Sequence, residues 1–284
     1  PRSSGYTTAL RNIGSIRNSG FELQLDGRII DRAVKWDLGV NFSLNRSKVL
    51  VLSEDKDIFG GELDNTILKD QLNLMRVGEP MYVFYGYVED GYDENGHIVY
   101  KNMDDDPAIT AADKTIIGDP NPDFLVNLTT AVSYKGFTLS AFFQSSIGND
   151  IYSLSMAAQA YDYGYNGNTL REVYYNHWTP ENPTAKYPNL DQTSYKMSDR
   201  FVYDGSFVRL KNLELAYDVP CARSKFIKRA RAYVSAQNLF TITSYPFWDP
   251  DINANGGGSS MIQGVDSYCY PSARTYTIGC RLTF

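Results

Sequence analysis

The carboxylates and amides between 102 and 113 have the spacing closest to a known chemistry. Asn102, Asp104, Asp106, Thr110 and Asp113 fall at positions 1, 3, 5, 9 and 12 of a calcium-loop template, with Ile109 at the apolar position 8. Oxygen ligands at that spacing can wrap one hard cation, so calcium is a candidate cofactor. Pro107 stands where the template has its turn glycine, and Asn102 removes one charge from the leading position. The same residues therefore also suit a loop shaped by Asx turns. A second set is aromatic: Tyr161, Tyr163, Tyr165, Tyr174, Tyr175, Trp178 and Trp248. Such rings can stack on sugars or clamp a peptide, and they equally suit packing of loop on loop or contact with a protein partner. Catalytic signals are weak. His97 and His177 have no Ser, Cys or zinc signature at a recognisable spacing. Cys221, Cys269 and Cys280 are an odd number without a C-x-x-C pair, which argues against a disulfide framework or a zinc site.

The elements that must carry these residues are strands. Several segments of about ten residues alternate strictly with period two. In 20–30, Phe21, Leu23, Leu25 and Ile29 alternate with Glu22, Gln24, Asp26 and Arg28. In 34–45, Val34, Trp36, Leu38, Val40, Phe42 and Leu44 alternate with Lys35, Asp37, Asn41, Ser43 and Asn45. Segments 123–134, 137–144, 212–219 and 275–284 repeat the pattern, and 230–240 is a strand by position with weak alternation. In the six clear segments one face carries no charged side chain and the other carries nine. Lipid explains such a face, because Lys or Arg at mid-depth costs about 2–4 kcal/mol. A soluble sandwich also keeps one face apolar, so alternation alone does not decide.

The connections discriminate. Short ones at 31–33, 135–136 and 220–229 alternate with long ones at 47–122, 146–205 and 241–271. Compact soluble domains rarely hold such loops, whereas outer-membrane barrels join tight periplasmic turns to long extracellular loops. The chain also stops on Phe284 with apolar residues at every second position back to Tyr276, the form of a barrel's closing strand. Tyr276, Ile278, Leu282 and Phe284 are therefore read as an assembly signal. No run of about 18 apolar residues exists, so no transmembrane helix is expected. The net charge of −6, with no Lys/Arg stripe, points away from nucleic acid.

The fold class expected is all-β: a transmembrane antiparallel β-barrel, of which strands at about 20–30, 34–46, 123–134, 137–145, 206–219, 230–240 and 272–284 form part. Closed single-chain bacterial barrels have an even number of strands, eight or more. Seven would leave unpaired edges in hydrocarbon, so further strands are expected before Pro1. The opening Pro1-Arg2-Ser3-Ser4, with no initiator Met or signal peptide, agrees with one piece of something longer.

Several segments resemble one family, the SusC-like (SusC/RagA) TonB-dependent outer-membrane transporters of Bacteroidota. They are Asn12-Ile13-Gly14-Ser15-Ile16-Arg17-Asn18-Ser19-Gly20-Phe21-Glu22, Ile117-Gly118-Asp119-Pro120-Asn121-Pro122-Asp123-Phe124, Ser206-Phe207-Val208-Arg209-Leu210-Lys211-Asn212-Leu213, Gln237-Asn238-Leu239-Phe240-Thr241 and Tyr270-Pro271-Ser272-Ala273-Arg274-Thr275-Tyr276. Their order and spacing carry the resemblance over nearly the whole chain. Pro246-Phe247-Trp248-Asp249-Pro250-Asp251 departs from the family's Gly-rich approach to Asp-Pro-Glu. The resemblance implies the last seven strands of a 22-stranded barrel whose N-terminal plug and earlier strands lie outside this chain. It also implies a multi-pass protein of the cell outer membrane that imports oligosaccharides or peptides. The partners implied are a SusD-like lipoprotein lid, TonB-ExbB-ExbD through the N-terminal part, outer-membrane lipid, and a second transporter–lid pair.

On that reading Glu22, Asp26, Arg28, Lys35 and Asp37 line the lumen or touch the plug, and Tyr161, Tyr163, Tyr165, Trp178 and Trp248 are candidate contacts to substrate or lid. The competing reading is a soluble carbohydrate-binding or adhesin β-sandwich module with Tyr-rich loops. A barrel enzyme would need a Ser/His or Asp/His pair at a strand top, which the sequence does not offer.

Overall fold

In a computed structural model of the chain, residues 14–53, 56–64, 68–161, 168–221, 226–252 and 262–284 are described. Seven strands form one sheet in sequence order: β1 (Gly14–Asp31), β2 (Val34–Leu52), β3 (Phe124–Tyr134), β4 (Phe137–Ile147), β5 (Phe207–Val219), β6 (Arg229–Thr243) and β7 (Thr275–Thr283). Every neighbouring pair is antiparallel. β1 and β2 continue their ladder beyond the alternating segments, to Gly14 and Leu52. The ladder is made by backbone groups, so it persists where side chains stop alternating. The turn between β3 and β4 is two residues, Lys135 (φ 47°) and Gly136 (φ 87°), both left-handed. Such a turn matches the right-handed twist of the strands it joins, and glycine adopts it without steric cost.

Residues paired across an antiparallel ladder share a face, so the register can be read row by row. One row runs Ile30, Trp36, Val132, Leu139, Leu215, Val234 and Ile278 across all seven strands. Another runs Leu25, Val40, Leu128, Phe143, Leu210 and Phe240. Most of these rings and branched chains lie open, among them Leu139 at 48% and Ile278, on an edge strand, at 84%, while Leu210, beside an irregularity in its strand, is 5% exposed. An apolar surface this continuous is far larger than a soluble monomer shows. The sequence-level assignment of Leu38 and Phe42 to the apolar face, and Asp37 and Asn41 to the other, agrees with the register. Cys280 lies opposite Ala232 on the apolar face.

The opposite face is polar. Gln24, Asn41, Asn127, Gln144, Arg209 and Thr241 form one unbroken row. Below it Arg28 bonds Asp37 at 2.8 Å, and Arg231 reaches Glu214 and Asp218 at 3.3 and 3.4 Å. Glu22, Asp26 and Lys35 project from this face too. Gly279 faces Tyr233, whose ring atoms stand 2.5 Å from where a Cβ would sit, so the ring covers the bare backbone. Tyr276, Ile278 and Leu282 pair with Ala236, Val234 and Ala230 on the apolar face.

Arg209 reaches the polar row through an irregularity. Phe142 opposes Asn212 while its neighbour Phe143 opposes Leu210, so Lys211 is an extra residue and the two halves of β5 swap faces. Simple alternation back from Leu213 would have pointed Arg209 into lipid. A bulge re-aims it.

The face assignment has a direct consequence. Leu128→Lys should destabilise the full-length barrel by about 2–4 kcal/mol, and Asn127→Lys, on the polar face, by much less. Heat-modifiable gel migration and denaturant titration in micelles measure the difference. The reverse order would invert the wall.

Candidate functional site

The three long connections rise from one end of the wall and fuse into one cap. Short strands pair within it: Ile58–Phe59, Asn73–Met75, Val83–Gly86 and Thr115–Gly118 form one small sheet, and Asp150–Ser153 joins Val202–Asp204 to Val265–Asp266 in another. Helix α1 (Leu154–Tyr161) follows directly, its first turn capped by the Ser153 hydroxyl, which accepts from the Met156 amide at 3.3 Å. α1 is buried on nearly all sides, consistent with its Leu-Ser-Met-Ala-Ala-Gln-Ala-Tyr composition. A shorter helix, α2 (Arg171–Tyr175), lies nearer the surface. The cap core takes Phe84, Tyr87 and Tyr100 from the first loop, Tyr152, Tyr161 and Phe201 from the second, and Val265 from the third. Burial pushes the phenols of Tyr100, Tyr152 and Tyr161 well up, so they stay neutral.

Polar ties join the loops pairwise. Glu89 of the first loop and Arg200 of the second form a nearly buried ion pair; the Ser198 hydroxyl donates to the same carboxylate at 2.6 Å. Asn73 and Gln263 exchange bonds between the first and third loops, at 3.0 and 3.3 Å. Asp266, 1% exposed, accepts from the Tyr245 hydroxyl at 2.6 Å and from Ser155, linking the third loop to the second.

Wall and cap are tied at β2, where Val49 exchanges backbone bonds with Gly78 and Glu79, and most fully at Arg209. Only 1% exposed, its guanidinium pairs with Asp249, donates to Thr241 Oγ1 at 3.0 Å and Ser272 Oγ at 3.2 Å, and reaches Asp251 at 3.4 Å. Asp249 also accepts the amides of Ser272 and Asp251, each at 2.9 Å. Burial opposes charge on Asp249, but these amides and the guanidinium outweigh it and hold the carboxyl below its ordinary range. Beside this pair opens a cavity of about 330 Å³ lined by Trp248, Asn238, Phe240 and Arg274 among others. In sequence the Pro246–Asp251 stretch stands out for its departure from the family pattern and for Trp248. Its Asp249 anchors the loop.

The residues singled out from the sequence are dispersed. Tyr161 stacks on Tyr195 at 3.7 Å and meets Phe201 edge-on at 5.2 Å, 4% exposed. This corrects its reading as a ligand contact: in this cap it is core. Tyr163 and Tyr165 lie outside the described residues. Trp178 is half-buried on the turn at Gly96, whose missing Cβ leaves room for the indole. Trp248 is 56% exposed and stacked on Phe247 at 4.6 Å; Tyr174 and Tyr175 are 63% and 73% exposed on α2. His97 bonds Asp191 at 2.8 Å, a further link between the first and second loops, and His177 closes a local turn on the Tyr174 carbonyl at 2.9 Å.

At 102–113 the oxygens are spent on backbone amides. Asn102 accepts from Asp104, Asp104 from Asp106, Asp106 from Ala108, and Asp113 from Met103 and Thr110. Among the described residues no group of three His, Cys, Asp or Glu is gathered as a metal site. The Asx-turn reading accounts for this geometry.

The Arg209 anchor is testable. Asp249→Ala leaves a guanidinium buried without its partner, which costs about 3–5 kcal/mol; proteolysis should open the third loop in intact barrels. Because the Asp249 carboxyl is depressed in the folded state, its contribution is complete above the ordinary carboxylate pKa and disappears as pH falls through the depressed value. In wild type, protection of that loop should therefore fail only in strong acid. Loss near neutrality would rule out Asp249 as the controlling group.

No family model matches the chain. Curated relatives match throughout it. TonB-dependent receptor P3 of Formosa agariphila is 32% identical over 100% of this chain, and TonB-dependent receptor SusC of Bacteroides thetaiotaomicron is 28% identical over 96%. The chain spans 30% and 27% of their lengths. Among solved structures, the RagAB peptide transporter superposes over 100% of the chain with a TM-score of 0.79 at 26% identity; the RagAB importer in its closed-closed and open-open states gives 0.80 and 0.78. The matched segments make up 30–31% of those chains. With a wall patterned for lipid, the chain is similar along its whole length to one part of the TonB-dependent receptors, SusC among them, which are β-barrel proteins of the outer membrane.

Proposed function

We propose that this chain is the C-terminal part of the barrel of an active importer that takes up oligosaccharides or peptides. The cap faces outside, and a SusD-like lipoprotein sits on it as a lid. TonB, through a plug formed by the rest of the protein, supplies the energy. The observation that carries this reading is the cap itself. Three connections far longer than strand closure needs are condensed around one core at one end of the wall, and such material persists where loops bind something. The outward aromatics Tyr174, Tyr175 and Trp248 suit a seat for a partner or a stacking surface for cargo. Support comes also from the relatives: one is named SusC, and the solved neighbours are the RagAB peptide transporter. The sandwich reading is disfavoured by the open apolar rows, which water would not tolerate.

Cysteines placed at Tyr174 and Tyr175 should crosslink to a co-expressed lid lipoprotein, and cysteines at Arg32 and Lys135, on the short turns, should not. Crosslinks confined to the short turns would turn the wall upside down and remove the importer reading with it.

A further inference from the structure

Above its apolar band, the outward face of the wall turns basic. The register of β1 and β2 gives outward rows of Leu25/Val40, Leu23/Phe42, Phe21/Leu44, Ser19/Arg46 and Arg17/Lys48, moving towards the cap. Phe21, Phe42 and Phe124 cluster at the upper end of the apolar band, with ring centroids 6.3 and 5.8 Å apart. Aromatic rings of this kind mark the membrane–water boundary. At about 3.3 Å per residue, Arg46 lies about 7 Å and the Arg17/Lys48 row about 13 Å along the strands beyond Phe21. Strand tilt shortens both distances measured across the membrane. The headgroup layer occupies about 5–7 Å on each side of the hydrocarbon, and long basic side chains bend to reach it.

Arg46 is already occupied: it pairs with Asp123 at 2.6 Å and donates to the Pro122 carbonyl at 3.2 Å. Arg17 and Lys48 are exposed and form no ion pair among the described residues. They stand directly opposite each other, an arrangement of like charges that destabilises a sheet unless an anion lies between them. A phosphate fits that need, because the guanidinium can grip two of its oxygens while the ammonium supplies a point charge.

We propose that Arg17 and Lys48, flanked by Arg46, form a binding site for the phosphorylated headgroup of an outer-leaflet membrane lipid. The leaflet rests on the orientation proposed above; the site itself does not. A symmetric bilayer therefore tests the site separately, since it presents the same headgroups on both sides.

The full-length protein is reconstituted in bilayers of phosphatidylcholine containing phosphatidic acid, and the lipids it carries into the gas phase are counted by native mass spectrometry. Wild type should retain phosphatidic acid over phosphatidylcholine. R17Q/K48Q should lose that preference about tenfold or more, since each basic residue near an anionic surface contributes on the order of 1 kcal/mol. R17K/K48R, which keeps both charges, should retain it, as should K35Q on the polar face. If R17Q/K48Q does not insert, K48Q alone should show a smaller loss in the same direction. An unchanged preference in the variant that inserts would overturn the proposal. So would displacement of phosphatidic acid by inorganic phosphate, which would make the site one for a free anion.

Discussion

Within hydrocarbon no water is available to a backbone amide or carbonyl, so the wall must satisfy those groups strand to strand. That single requirement fixes the register, and the register then fixes which way each side chain points. The apolar row from Ile30 to Ile278 and the polar row from Gln24 to Thr241 are two readings of the same ladder. Slipping one strand by one residue would put Asn127 among lipid chains and Leu128 among the amides. The hydrophobic effect enforces the alignment because both errors would have to occur together. Within this frame the cap has one place to form, at the end where all three long connections emerge.

The wall was legible in the sequence for the same reason. Leu23, Phe42, Val126 and Leu215 each sit in a strict alternation that survives without knowledge of their neighbours. β6 was harder, because Ala232 and Ala236 contribute little contrast on the apolar side. Arg209 lies outside the alternating segment 212–219, and its face could not be extrapolated from it, because one extra residue at Lys211 reverses the parity and nothing in the local sequence announces a bulge. The cap was legible only as a location. Its strands run two to four residues and owe their form to partners distant along the chain, such as Asn73 with Gln263. Tyr161 shows the limit most clearly: an aromatic in a long loop reads as a binding residue until Tyr195 and Phe201, far along the chain, are seen closing over it.

Charge is handled differently at each level. On the polar face of the wall Arg28, Asp37, Arg231 and Glu214 remain partly open to solvent and contribute little to stability individually. Arg209 and Asp249 are buried and Glu89 and Arg200 nearly so, and each is surrounded by further donors or acceptors that complete its bonding. Buried pairs of this kind add little over an apolar substitute of equal shape, yet removing one partner is expensive. They therefore specify geometry more than they add stability: Arg209 accepts one loop conformation, the one that delivers Asp249 and Ser272 together.

The shared core of the cap also bears on how such a protein can change over generations. Phe84, Tyr161 and Val265 belong to three connections separated by pairs of wall strands, yet they meet in one cluster. Replacing a single connection with that of a relative would leave the other two facing a mismatched surface. The outer surface of the cap can therefore change either at outward residues such as Tyr175 and Trp248 one at a time, or by exchange of the three connections as a set. The unit of inheritance is the whole crown.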